Sequence, residues 1–110
     1  MPKPRTYSRY AHDVAVLMGE QIKLGRKQRG WTERDLAERA GMSRATLQKI
    51  EKGDMGVAIG SVFELAALVG VKLFEPDSVP LVRQIEHARD KIALLPQRIR
   101  ARTKELYDDF

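Results

Sequence analysis

Three glycines and two hydroxyl residues divide the middle of this chain into short rods. Gly30, Gly41 and Gly53 punctuate the stretch, and Thr32 and Ser43 each follow a glycine by two positions. Glycine adopts a left-handed backbone at little cost and so ends helices; serine and threonine begin them by accepting a hydrogen bond from a first-turn amide. The spacing therefore predicts two helices of about two turns each, one capped by Thr32 and one by Ser43, with almost no chain between them. Asp35, three residues after Thr32, is placed for a reciprocal capping contact. Leu36, Ala37 and Ala40 make the apolar stripe of the first rod, Leu47 and Ile50 that of the second. Helices this short hold only when packed against something else.

The flanks supply that support. From Ser8, a further helix cap, Val14, Leu17, Met18 and Ile22 recur at three- and four-residue spacing and predict an amphipathic helix that stops at Gly30. Residues 54–60 read as a loop. Residues 61–69 (SVFELAALV) form a strongly apolar helix, the floor of the core, ended by Gly70. Residues 71–74 are short, β-branched and aromatic enough for a strand. After a turn at residues 75–78, Leu81, Ile85, Ala88, Ile92, Leu95 and Ile99 form a heptad seam, which Pro96 should kink or restart. The expected organisation is all-α: a basic flexible arm over residues 1–10, a domain over 11–74 with a short strand at 71–74, and a helical extension over 78–110.

Charge narrows the partners. Residues 1–53 carry 12 Lys and Arg against 6 Asp and Glu, whereas residues 54–110 carry 8 against 9. A basic half suits a polyanion, although solvated helix faces would carry the same charges. The chain has no cysteine, which excludes disulfides, thiolate zinc sites and cysteine nucleophiles. Residues 1–10 are basic and polar rather than signal-like, and no apolar run approaches the ~20 residues of a membrane span, so a cytoplasmic location without membrane contact is expected. His12 and His87 have no partner at ligand spacing. Nothing pairs a nucleophile with a base, so no enzyme activity, metal or cofactor is expected.

Two short helices joined by a glycine turn, with Ala37 and Gly41 small enough for close approach and Leu47 and Ile50 turned inward, describe a helix-turn-helix. Its second helix stands clear of the core and can enter a major groove roughly 12 Å wide. The segment TERDLAERAGMSRATLQKIEKG resembles the XRE family, the Cro and lambda-repressor-like helix-turn-helix proteins, and the likeness runs from Gly19 to Val71. The resemblance implies a partly buried structural ion pair between Arg26 and Glu51. It also implies a DNA-binding set of Ser43, Arg44, Ala45, Thr46, Gln48, Lys49 and Lys52. Arg44 suits guanine and Gln48 suits adenine, while Thr46, Lys52 and the amides around Gly56 and Ala58 suit phosphate. Glu33 departs from the pattern, standing where a glutamine often bonds phosphate; either that contact is missing or Arg34 replaces it. Trp31 is read as packing, and Lys3, Arg5 and Arg9 as an arm that either reaches DNA or is idle.

One such motif reads few base pairs, so a homodimer on a palindromic double-stranded operator is expected. Val71, Leu73 and Phe74, pairing with their symmetry mates, or the heptad stripe would join the protomers; the stripe has the alternative of folding back over the core. The stretch KIEKGDMGVAIGSVFELAALVGVKLF is similar to HipB-type antitoxins. That similarity implies a repressor of its own operon with a HipA-like kinase toxin as partner, for which the segment around Pro96 and TKELYDDF is a candidate binding region. The alternative is a stand-alone repressor of phage or restriction-controller type.

Overall fold

The computed structural model describes residues 6–74 and 79–98, which contain five helices: α1 (Arg9–Gln28), α2 (Glu33–Ala40), α3 (Arg44–Glu51), α4 (Ile59–Val69) and α5 (Leu81–Ala93). The first three helices are capped by hydroxyl residues. Ser8 Oγ accepts from the Ala11 amide at 3.1 Å, and Ser43 Oγ from the Thr46 amide at 3.1 Å. Thr32 and Asp35 form a complete capping box, the Asp35 amide donating to Thr32 Oγ1 at 3.0 Å and the Thr32 amide to Asp35 Oδ2 at 2.9 Å. Gly41 closes α2 with a left-handed φ of 67°, which is why only three residues, the last of them the Ser43 cap, separate α2 from α3.

The described residues up to Leu73 form one compact unit, and those from Phe74 onward a second. In the first, α1 packs on α3 and α4, and α2 on the same two helices. Ile22, Leu36, Leu47 and Leu65 are wholly buried at the centre, joined by Ala37, Ile50 and Val69. Trp31 packs against this cluster, with the Arg39 guanidinium 4.2 Å from its ring centroid.

The periodicity of α1 is as expected, but its buried face is rotated. Val14 and Leu17 are exposed, while Gly19, Ile22, Gly25 and Arg26 face inward. Close backbone approach is the cause. A Cβ on Gly19 would lie 2.6 Å from the carbonyl oxygens of both Ile50 and Glu51, and one on Gly25 would lie 2.8 Å from Val69 Cβ. Gly19→Ala is therefore expected to push α1 off α3 and to lower stability by ~1–3 kcal/mol, measurable by urea denaturation.

Two boundaries also differ from expectation. α4 begins at Ile59, inside the anticipated loop, because it opens at Ala58 with no capping side chain to mark it. Residues 71–74 form no strand within the described chain. The Val71 amide instead donates to the Ala66 carbonyl at 2.8 Å, in the turn that closes α4, and the segment enters no ladder with the described residues.

In the second unit α5 ends at Ala93 with its cap at Leu94, as expected of a helix meeting Pro96. Leu81, Ile85, Ile92 and Leu95 of the heptad stripe are all exposed, and no residue of α5 is buried. Ile99, the turn at residues 75–78, the TKELYDDF segment, and Lys3 and Arg5 of the arm lie outside the described residues. Among those described, no helix is long and apolar enough to cross a membrane, and no cluster of His, Asp or Glu is placed to hold a metal.

Candidate nucleic-acid interface

The site is built on α3, a rod of eight residues, about 12 Å long. One side is sunk in the core through Leu47 and Ile50; the other presents Ser43, Arg44, Ala45 and Lys49 to solvent. Thr46 and Gln48 are half-buried along the edges, and Lys52, the C-cap, is exposed. The Ser43 hydroxyl also donates to Thr46 Oγ1 at 2.9 Å, so these two side chains brace the first turn.

The far end of α3 is anchored by charge. Arg26 Nε donates to Glu51 Oε2 at 2.8 Å and an Arg26 terminal nitrogen to Glu51 Oε1 at 3.0 Å, a two-pronged pair in which both residues are only 7% exposed. The other terminal nitrogen of Arg26 donates to the Trp31 carbonyl at 3.1 Å. One guanidinium thus ties together the end of α1, the start of the turn before α2 and the end of α3. Its hydrogen bond to Glu51 outweighs the cost of burial and, with the charges of Glu51 and Glu33, holds Arg26 more firmly protonated than a free arginine. No buried side-chain nitrogen or oxygen among the described residues lacks a partner.

Glu33 has a definite position. At the first turn of α2, its carboxylate accepts from Arg44 at 3.3 Å, with the Glu33 side chain 28% and the Arg44 side chain 63% exposed. Partial desolvation opposes its ionisation, yet hydrogen bonds from Arg44 and Gln48 and the charges of Arg44 and Arg26 prevail and hold its carboxyl below the usual carboxylate range. Arg34 instead lies beside Glu38, 3.7 Å away in an exposed pair. Asp54 Oδ1 accepts from the Gly56 amide at 2.6 Å, one of the amides assigned to phosphate on sequence grounds.

Sequence reasoning missed Lys23 and Lys27. A depression over the Arg26–Glu51 pair is lined by these two lysines together with Glu33, Gln48 and Lys52, so α1 contributes cations to the same surface as α3. The signal was present in the four-residue spacing of Lys23 and Lys27, which puts both on one helix face beside Arg26. α4 adds an N-terminus without a side-chain cap and without an acid in its first turn, where backbone N–H groups favour an anion.

A short exposed helix, mounted on a packed partner through a tight turn and edged with cations, defines a helix-turn-helix DNA-binding protein. Residues 22–75 match the Helix-turn-helix family. The chain is similar, at 24% identity over 63 residues, to a "Neisseria hypothetical transcription factor" from Neisseria meningitidis serogroup B; the match covers 57% of this chain and 59% of that relative. Among solved structures, a chain of a HipB variant in an O2 20mer complex superposes with a TM-score of 0.50 at 22% identity, covering 70% of this chain and 99% of that one. A chain of the "HipA-HipB-O2-O3 complex" superposes with the same score and identity, over 69% of this chain and 99% of its own. These likenesses establish the lambda-repressor-like helical fold.

Proposed function

We propose that the chain is a sequence-specific repressor that inserts α3 into the major groove of a palindromic operator as a homodimer. The observation that carries this reading is the division of α3 into a buried apolar side and an exposed side with Arg44 and Lys49, edged by Gln48. Arg44 offers paired donors to guanine O6 and N7, and Gln48 a donor and an acceptor to adenine N7 and N6. Lys23, Lys27, Lys52 and the first turn of α4 neutralise phosphates and set the register. Ser43, Ala45 and Thr46 line the approach. Homodimerisation is supported by exposed apolar surface at Phe74 and along α5.

Within that function we favour the antitoxin of a module of the HipA and HipB kind, cytoplasmic and without enzyme activity, that represses its own operon and binds a kinase toxin. The solved assemblies that share this fold include HipB with O2 DNA and HipB with HipA, O2 and O3. Absence of a kinase-like protein on co-purification from the native host would leave the stand-alone repressor.

The DNA reading is tested by selecting a duplex from random sequence with the full chain and titrating affinity against salt. The expected result is an enriched palindrome and a log–log salt slope of roughly −0.9 per neutralised phosphate; no enriched sequence and a flat slope would refute it. Light scattering at micromolar concentration should show twice the 12.5 kDa of one chain.

A further inference from the structure

We propose that Glu33 is a specificity-determining residue of this interface: its carboxylate fixes the Arg44 guanidinium and the Gln48 amide in one donor–acceptor arrangement. This rests on the DNA-reading function proposed above and adds to it a residue that touches no base itself. Three observations converge. Arg44 donates to Glu33 Oε1 at 3.3 Å. Gln48 lines the same depression as Glu33, and its side chain contributes to holding the Glu33 carboxyl low. Glu33 itself is held at the first turn of α2, next to a complete capping box, so its backbone is fixed.

The chemistry of the three groups gives the arrangement a direction. An ionised carboxylate only accepts. A Gln48 amide facing Glu33 turns its NH2 toward the carboxylate, which leaves its carbonyl oxygen and second N–H for a base edge in a single orientation. A glutamine at position 33 would accept either orientation of the Gln48 amide, since each amide both donates and accepts. Arg44 commits one of its five N–H donors to Glu33 and keeps enough of its fork for the paired contact with guanine. The carboxylate also brings a negative charge to a surface that meets phosphates, so non-specific DNA is repelled while the base-reading side chains are held ready. A loss of affinity for all DNA is exchanged for a gain in discrimination, which is how a repulsive element raises specificity.

The test compares wild type with Glu33→Gln and Glu33→Asp on the duplex that wild type selects, on its single-base-pair variants and on an unrelated duplex, at several salt concentrations. Glu33→Gln is nearly isosteric and should bind the unrelated duplex more tightly while losing roughly five- to tenfold of its discrimination at the base pairs facing Arg44 and Gln48. Glu33→Asp keeps the charge but shortens the reach. It should lose similar discrimination without tighter binding to the unrelated duplex, which separates positioning from charge. Undiminished discrimination in both variants would overturn the proposal, and so would sharper discrimination in Glu33→Gln, because then the carboxylate merely sequesters Arg44. A wild-type chain that selects no sequence would instead overturn the DNA-reading function itself.

Discussion

Glu51→Ala is expected to destabilise the helix-turn-helix domain by ~3–5 kcal/mol, because it leaves the Arg26 guanidinium buried with only the Trp31 carbonyl as a partner. For a domain whose whole stability is about 5–15 kcal/mol, that is a large share. Thermal unfolding followed by circular dichroism should show the midpoint falling by roughly 4–8 °C for each kcal/mol lost. The double change Arg26→Met with Glu51→Leu removes both charges and is expected to be far milder, since an apolar pair of similar volume avoids the desolvation cost. If the single and double changes are equally damaging, the two residues matter for shape rather than for charge.

Arg44→Ala should leave the fold intact, as its side chain is 63% exposed and caps nothing. Its effect belongs to recognition: a loss of ~1–3 kcal/mol in the preference for the selected operator, or roughly 5- to 150-fold, measured by competition between operator and single-base-pair variants. The change also frees the Glu33 carboxylate to face the incoming phosphates, so affinity for unrelated DNA should fall as well. Gln48→Ala is expected to act at neighbouring base pairs. The two changes together should not sum, because both side chains share Glu33. Equal operator preference in Arg44→Ala and wild type would remove Arg44 from the reading set.

The parts of the fold legible in the sequence are those fixed by local chemistry. Ser8, Thr32 and Ser43 cap helices wherever they are placed, and Gly41 and Gly70 end them with a left-handed turn, so these boundaries need no knowledge of the rest of the chain. The start of α4 was not legible because Ala58 carries no capping group. The face of α1 was misplaced for a different reason. Val14 and Leu17 are large and apolar and so dominate any count of periodicity, yet contact with α3 and α4 is made where Gly19 and Gly25 have no side chain at all. Small residues at a helix contact leave no hydrophobic signal.

The same division holds for the candidate site. Arg44, Gln48 and Lys49 were accessible from the position of α3 alone, but the partners of Arg44 depend on how α2 is set against α3. Glu33, eleven residues away, could be read from the sequence only as an exception, whereas its contact with Arg44 gives it a part in the recognition surface. Lys23 and Lys27 likewise become visible once α1 is seen to border the depression beside Gln48. Residues 71–74 are a further case: their β-branched and aromatic composition suggested a strand, but the Val71 amide is taken up by the Ala66 carbonyl in the turn that closes α4.

The central claim is that the exposed side of α3 meets base edges. Amide chemical-shift mapping of the isotope-labelled chain, titrated with its selected duplex, tests it most directly. The account predicts that the largest shifts run from Ser43 to Lys49, continue through Lys52 and reach the first turn of α4, with Leu36 and Leu65 unmoved. Large shifts confined to α5 or to the outer face of α1, with Ser43 to Lys49 silent, would contradict it.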